Sequence, residues 1–238
     1  MADESHAAVR RNYNNLILAV LAAIIVAVFV VRGAWQTTDK QTTDNTPAVV
    51  AQRAVLLEED PNDPQGKRSV GSVVWHTEMV SPGEGKPPEL AVRADIEIIE
   101  RNVGITWTLR RENESSSPTS HTIEIIFKLP PDFSSGGIIN VSGIWMKQAE
   151  LAPGTALAGL STEVTSNYFL IGLSNAPADR DRNIQMLKER PWFDIPITYT
   201  DKRRAILTLE KGATGEQTLR EAFAAWEIAR PGSTATKK

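Results

Sequence analysis

In the stretch LAVRADIEI, residues 90–98, every second side chain is apolar, and from Val92 onward a charged side chain lies between each pair. Its apolar residues fall on one face of an extended chain: Leu90, Val92, Ala94, Ile96 and Ile98. Its charged residues fall on the opposite face: Arg93, Asp95 and Glu97. A period of two residues is typical of a β-strand with one buried face. The stretch therefore predicts a strand in a sheet that covers a core on one side and meets water on the other.

The same alternation recurs along most of the chain. We predict further strands in the following ranges: 70–80, 105–110, 121–128, 138–146, 158–164, 168–173, 193–199 and 205–209. Proline and glycine turns separate them, as at Ser81-Pro-Gly and Ala152-Pro-Gly. Trp75 and Trp107 lie on apolar strand faces and are expected in the core. Many short strands joined by such turns predict a mainly β domain, either β-sandwich-like or an open barrel.

Two short helices are expected within this β-rich domain. Residues 179–189 place Ile184 and Leu187 on one side and stop before a proline. Residues 215–229 place Leu219, Phe223 and Trp226 four and then three residues apart, which is an amphipathic helical stripe. We expect the second helix to close one end or side of the sheet.

An apolar segment near the start of the chain predicts a membrane anchor. All residues from 16 to 31 are apolar, and as a helix they would span roughly 24 Å. Tyr13 and Trp35 flank them where aromatic rings favour the lipid–water boundary, which extends the predicted transmembrane helix to residues 15–35. The anchor residues are Leu16, Leu18, Leu21, Ile24, Ile25, Val28, Phe29, Val31 and Trp35. A cleaved signal peptide is the main alternative, although no A-x-A site follows the apolar run.

The chain is thus divided into five parts. Residues 1–14 are a tail, 15–35 the anchor, 36–52 a polar, Thr-rich linker, 53–229 the β-rich soluble domain, and 230–238 a second tail. The numbers of basic residues before and after the anchor are nearly equal, so the positive-inside rule says little about the orientation of the helix in the membrane. A short tail before an anchor and a large domain after it favour a tail on the inside and a domain on the outside, which in a bacterium means an inner-membrane protein with a periplasmic C-terminal domain.

Composition excludes several classes of function. The net charge of −3 argues against general nucleic-acid binding, which needs an excess of Lys and Arg on one face. The absence of cysteine excludes disulfides, thiolate metal sites and a cysteine nucleophile. No glycine-rich phosphate loop occurs, and we predict no cofactor.

Other chemical motifs are incomplete. The acidic stretch EEDPNDPQG, residues 58–66, carries oxygen ligands but lacks calcium-loop spacing, so we predict a solvated loop. His76 and Glu78 share a strand face without a third metal ligand nearby. Ser120-His121 lacks a nucleophile-elbow motif. We assign no catalytic, cofactor-binding or metal-binding residue.

Four residues are candidates for a partner-binding surface: Trp145, Trp192, Arg203 and Arg204. The tryptophans lie near predicted turns, and the arginines belong to a locally basic region around the first helix and the following hairpin. Because acidic residues are interleaved in that region, a solvated face of mixed charge is the competing interpretation.

Four segments carry a resemblance to known proteins: SVVWHTEMVSPGEGKPPELAVRADIEI (72–98), SHTIEIIFKLPPDF (120–133), LKERPWFDIPITY (187–199) and RRAILTLEKG (203–212). Together they resemble a group of bacterial single-pass membrane proteins to which no activity is assigned. The resemblance covers roughly residues 50–229. It implies an anchor, a spacer and a periplasmic β-rich domain, and it implies no site residue.

These observations favour a non-enzymatic, membrane-anchored envelope protein whose β-domain binds a protein partner through a sheet face or an edge strand. Two alternatives stay open. One is an accessory subunit of a larger membrane complex, packed through the small residues of its anchor helix. The other is an anchored hydrolase or carbohydrate-active enzyme that uses carboxylates and Trp145 or Trp192.

Overall fold

The computed structural model describes residues 50–81, 88–114 and 116–228, and all of them belong to one compact unit. The described residues are mainly β, with a single antiparallel sheet of twelve strands and two α-helices. This confirms the mainly β domain with two helices that the sequence predicted. The sheet is curled into a half-barrel, which is closer to the expected open barrel than to two packed sheets.

The strands in chain order are β1 (Gln52–Asp60), β2 (Asp63–Val80), β3 (Glu89–Ile98), β4 (Val103–Arg111), β5 (Thr119–Lys128), β6 (Ile138–Val141), β7 (Trp145–Lys147), β8 (Thr155–Ala156), β9 (Gly159–Thr165), β10 (Tyr168–Ser174), β11 (Trp192–Tyr199) and β12 (Arg204–Glu210). The helices are α1 (Pro177–Glu189) and α2 (Gly212–Ile228). A short 3₁₀ turn, Ile99–Arg101, joins β3 to β4.

Strands β1 to β5 form a meander at the centre of the sheet. The complete order is β8-β7-β11-β12-β1-β2-β3-β4-β5-β10-β9, and β6 also pairs with β11. Strand β12 therefore returns beside β1, which brings residues 52–60 next to residues 204–210. Side chains of β1 alternate between the core face and the opposite face, which we call the outer face.

The core face buries the period-two residues that the sequence indicated. In residues 90–98, Leu90 is half-buried, and the other apolar side chains of the alternating set are buried: Val92, Ala94, Ile96 and Ile98. Trp75, Trp107 and Phe193 pack against one another with ring centroids 5.4–5.6 Å apart. The core positions predicted for Trp75 and Trp107 are confirmed.

Helix α2 packs on β2 and β3. Its predicted stripe of Leu219, Phe223 and Trp226 is buried, and the Trp226 indole donates to the Leu90 carbonyl at 3.0 Å. The helix begins at Gly212, three residues earlier than expected. Helix α1 begins at Pro177. Proline suits the first helical turn, because the N–H groups of that turn have no acceptor within the helix and proline lacks an N–H.

Two local predictions were wrong. The expected solvated loop at 58–66 is a β-hairpin, in which Asp60 opposes Asp63 across the ladder. The expected single strand at 138–146 is divided into β6 and β7. Residues 142–144 lie opposite the segment of β11 that contains Pro196, and proline has no N–H to continue a ladder.

The predicted transmembrane anchor lies outside the described residues, as do most of the linker and both tails. Neither helix in the described part of the chain combines the length and apolar character needed to cross a bilayer.

Candidate functional site

A groove of about 760 Å³ lies on the outer face beside strands β1, β11 and β12. We call it the outer groove. Its apolar floor is a row of three side chains across three strands, because Leu57 opposes Ile206 and Ile206 opposes Pro196. Leu57 is 41% exposed and Ile206 is 37% exposed. Apolar side chains directly opposite each other pack as cross-strand pairs, so the row forms a continuous surface open to water.

One side of the outer groove carries an ion pair. The Arg204 Nε donates to Glu59 Oε1 at 2.6 Å, and the Arg204 backbone N–H donates to Glu59 Oε2 at 2.8 Å. These hydrogen bonds, the side-chain one first, lower the pKa of the Glu59 carboxyl. A general acid needs a raised pKa, so this carboxylate is set up as an anchor for Arg204 rather than as a proton donor.

The hairpin between β1 and β2 closes one end of the outer groove. Asp60 Oδ1 accepts a hydrogen bond from the Asn62 backbone N–H, and Asp63 Oδ1 accepts one from the Gln65 backbone N–H, both at 2.9 Å. Gly66 has a φ of +73°, and a Cβ there would lie 2.5 Å from the Glu58 carbonyl oxygen. Within the described part of the chain neither aspartate forms an ion pair.

Arg203, one of the predicted partner-surface residues, borders the outer groove but directs its guanidinium away from the floor. Its Nε donates to Asp201 Oδ2 at 2.7 Å, and its Nη2 donates to Ser135 Oγ at 2.7 Å. The hydrogen bond to Asp201 raises the pKa of Arg203. The adjacent arginines therefore contact different regions, and only Arg204 lies on the outer face.

The two predicted tryptophans lie on the same outer face, nearer to β7. Trp192 is 8% exposed, and the Arg53 guanidinium lies 5.3 Å from its ring centroid. Trp145 is half-buried and opposes Asp194 in the β7–β11 ladder. Asp194 precedes Pro196 by two residues, so Trp145 borders the apolar row, whereas Trp192 presents little surface to a partner.

A polar network fills the outer face between the tryptophans and β1. The Lys147 ammonium lies 2.7 Å from Asp194 Oδ1, which also accepts a hydrogen bond from the Thr208 hydroxyl at 2.6 Å. Glu150 binds Arg53 at 2.6 Å and Arg68 at 3.0 Å. These contacts tie β1, β2, β7, β11 and β12 together and give the apolar row a charged border.

A second polar group lies on the core side of β1, and we call Glu58, Arg101 and Tyr199 the inner cluster. Glu58 Oε1 accepts hydrogen bonds from Arg101 Nη2 and from the Tyr199 hydroxyl, both at 3.0 Å. Arg101 Nε lies 2.8 Å from Glu58 Oε2, at an angle that is poor for a hydrogen bond. Burial and the nearby Glu58 carboxylate raise the pKa of Tyr199. The cluster neutralises the Glu58 carboxylate, which the strand alternation places on the core face.

Lys211 is fully buried between β12 and α2. Its ammonium donates to the carbonyls of Leu187 and Lys188 at 2.9 and 3.2 Å, at the end of α1. Burial lowers the pKa of Lys211 to about 8, and the charge of Glu216 offsets part of that effect. A lysine at a helix C-terminus stabilises the unpaired carbonyls there, so the side chain joins α1 to the sheet.

None of the remaining sequence motifs lines the outer groove. Ser120 and His121 are both buried, with Ser120 Oγ 3.2 Å from His121 Nδ1, and His121 packs beside Phe223 and Trp226. The Glu78 carboxylate binds Arg93 at 3.3 Å rather than joining His76 as a ligand of a shared metal ion. In residues 50–228, apart from the two gaps, no three potential ligands lie close enough to hold a metal ion.

The edge strand β9 is a second exposed surface. Within the described part of the chain it pairs only with β10, and it exposes Leu160 and Val164. Because β9 is exposed along nearly its whole length, it lacks the enclosing walls of the outer groove.

Sequence reasoning missed Leu57 and Ile206, and the pattern contained a signal for Ile206. In the predicted strand 205–209, Ile206 occupies the phase that the alternation assigns to water. An apolar residue in that phase indicates an exposed contact surface when a second one lies beside it. The partner, Leu57, belongs to β1, which was not predicted as a strand, so the pair could not be recognised.

Comparisons of the chain with protein-family models, with curated proteins and with solved structures found no match. The assignment of function therefore depends on the geometry of the outer groove and on the sequence. The resemblance to bacterial single-pass membrane proteins stays a prediction.

Proposed function

We propose that this chain is a membrane-anchored, non-enzymatic envelope protein whose β-rich domain binds a protein partner at the outer groove. In this proposal residues 15–35 span a bacterial inner membrane and the domain lies in the periplasm. The observation that carries the binding role is the exposed row of Leu57, Ile206 and Pro196 between charged borders.

The composition of the outer groove supports partner binding. Burying apolar surface against a partner contributes about 25 cal/mol per Å² before the costs of association. Interfaces commonly combine an apolar centre with a polar rim that excludes water. Here the row supplies the centre, and Arg204–Glu59 together with the Glu150 ion pairs supplies the rim.

The sequence before β1 supports a position close to the membrane. β1 begins at Gln52, and the predicted anchor ends at residue 35. The connecting residues can extend over at most roughly 55 Å. The start of β1 would thus lie no farther than that distance from the end of the predicted anchor.

Co-purification of the intact chain in mild detergent tests the binding role. Ile206→Asp places a charge in the apolar row, and Ile126→Asp is the matched control, because Ile126 is equally exposed on the distant strand β5. We expect a protein that co-purifies with the wild type and with Ile126→Asp to be lost from Ile206→Asp, with all three chains folded. Equal recovery from both variants would refute binding at the outer groove.

Labelling of a single introduced cysteine tests the position of the domain. The natural chain has no cysteine, so Glu163→Cys in the exposed strand β9 provides one reactive thiol. A membrane-impermeant maleimide should label it in intact spheroplasts if the domain is periplasmic. Labelling only after lysis would place the domain on the other side, and recovery of the chain in the soluble fraction would exclude the anchor.

A further inference from the structure

We propose that the turn between β7 and β8, residues 148–154, is a strap that covers part of the outer face and opens to enlarge the outer groove. We call these residues the strap. Its contribution to partner binding rests on the proposed function, whereas its opening is a property of this chain alone. Two observations carry the inference: a buried valine on the outer face and the ion pairs that lie above it.

Val55 lies on the outer face and is nevertheless only 4% exposed. It has the same phase in β1 as the exposed Leu57 and the opposite phase to the core residues Ala54 and Leu56. Val70, which is opposite Val55 in the β1–β2 ladder, is 44% exposed. The sheet itself therefore does not cover Val55, and a segment that lies over the outer face does.

The strap supplies this cover through Glu150. The Glu150 carboxylate lies 2.6 Å from Arg53 Nη2 and 3.0 Å from Arg68 Nη2. Arg53 precedes Val55 by two residues in β1, and Arg68 precedes Val70 by two residues in β2. Because the strands are antiparallel, the two arginines lie at opposite ends of a diagonal across the Val55–Val70 pair. A carboxylate that binds both arginines lies above that pair.

The contacts that hold the strap closed are weak ones. Among the described residues, the ion pairs that join the strap to β1 and β2 all involve the Glu150 carboxylate. Nearly half of each arginine side chain is in water, and ion pairs with such exposed members contribute little to stability. The Lys147 ammonium also donates to the Glu150 carbonyl at the base of the strap. Strands β7 and β8 share only two residue pairs, so the hairpin itself adds little support.

Opening of the strap adds apolar surface to the outer groove. Val55 is the neighbour of Leu57 on this face of β1, and Leu57 belongs to the apolar row. When Glu150 leaves the two arginines, Val55 and the already exposed Val70 extend the row by a second cross-strand pair. A partner that covers this larger surface binds the open form better, so it shifts the chain towards that form.

Cysteine labelling of the intact chain in detergent micelles, with no partner present, tests the strap. The natural chain has no cysteine, so three matched variants carry one thiol each: Val55→Cys under the strap, Val70→Cys beside it and Val73→Cys in the core. With excess maleimide we expect fast labelling at residue 70 and slow labelling at residue 55. Residue 73 should stay unlabelled on the same timescale.

Removal of the Glu150 carboxylate should open the strap. Glu150→Gln is expected to raise the labelling rate at residue 55 by about threefold to thirtyfold, which is the effect of losing two exposed ion pairs. The matched control is Glu59→Gln, which breaks an ion pair on the same face that does not involve the strap, and it should leave the rate unchanged. High salt should accelerate labelling at residue 55 while Glu150 is present and have less effect in Glu150→Gln.

The outcomes separate the strap from the proposed function. Equal labelling rates at residues 55 and 70 would overturn the inference, as would a rate at residue 55 that Glu150→Gln leaves unchanged. Parallel acceleration at residue 73 would identify unfolding of the domain as the cause and would overturn it too. Absence of any partner at the outer groove would refute the proposed function and leave the labelling rates as predicted. If a partner co-purifies, more of it should be recovered with Glu150→Gln, and a lower recovery would refute the contribution of opening to binding.

Discussion

Glu58 and Glu59 are adjacent in β1 but belong to opposite faces of the sheet. Glu58 is buried in the inner cluster, where it binds Arg101 and Tyr199. Glu59 lies on the outer face beside the groove, where it binds Arg204, whose side chain is 77% exposed. Each carboxylate has an arginine partner, so the two regions differ mainly in access to water. The same type of ion pair therefore stabilises the fold on one face and organises a surface on the other.

The energetic consequence follows from desolvation. The free-energy cost of a buried charge depends on its ion-pair partner, because removal of the partner leaves an uncompensated ion inside the protein. A charge in water is solvated whether or not its partner is present, so its loss changes stability little. The inner cluster is therefore expected to control folding, and the outer groove is expected to control binding.

The largest predicted effect is that of Glu58→Gln, which leaves Arg101 without its counter-ion. We expect a loss of about 3 kcal/mol in the free energy of unfolding, which is typical of breaking a buried pair. Urea unfolding of the intact chain in detergent micelles, followed by tryptophan fluorescence, measures it. A loss close to zero would show that the inner cluster is not the structural element described above.

The second prediction concerns Lys211, a buried charge with carbonyl partners instead of a carboxylate. Its folded pKa of about 8 lies below the ordinary value of 10.5, so the folded chain releases its proton first as pH rises. The cost of burying the charge is fully present below pH 8 and disappears as pH rises towards 10.5.

Comparison with Lys211→Met isolates this titration from those of other groups. Between about pH 7 and pH 10, the wild type should gain about 2–3 kcal/mol in unfolding free energy relative to the variant. Parallel pH profiles for the two chains would contradict the account of Lys211.

The third prediction concerns a smaller change in the free energy of unfolding. Tyr199→Phe removes the hydroxyl that donates to Glu58 but leaves the ion pair with Arg101 in place. We expect a loss of about 1–2 kcal/mol, the contribution of a hydrogen bond to a charged group. Combining Tyr199→Phe with Glu58→Gln should give less than the sum of the two effects, because both variants remove the same contact. Simple additivity in urea unfolding would argue against the cluster.

The smallest effect on stability is predicted for Glu59→Gln. The carboxylate is exposed, and the free energy of unfolding should not change measurably. The variant should instead release Arg204 and change the rim of the outer groove, which a change in partner affinity would reveal. A destabilisation as large as that of Glu58→Gln would remove the distinction between the two faces.

Much of the fold could be predicted from the sequence, because alternation reports burial directly. Residues 90–98 and the stripe of α2 were identified by period alone, and both are buried as expected. β1 was missed because a glutamate occupies a core position at residue 58, and its arginine partner is 43 residues away in the chain. Local patterns do not report such a distant contact.

The candidate site was only partly predictable. Arg204 and Trp145 were identified from composition and turns, and both lie on the outer face beside the apolar row. Trp192 was placed in the same surface but is nearly covered, because Arg53 lies over its ring. The row itself depends on β1 pairing with β12, a contact between residues more than 140 positions apart, which alternation within one strand does not indicate.

Site-specific photo-crosslinking in intact membranes tests the central claim most directly. A photoreactive amino acid is introduced at Leu57 or Ile206 in the outer groove, or at Ile126 on the distant strand β5 as the control. The account predicts the same crosslinked partner at both groove positions and no crosslink to that partner at the control position. Equal crosslinking at Ile126, or none at Leu57 and Ile206, would contradict a binding surface at the outer groove.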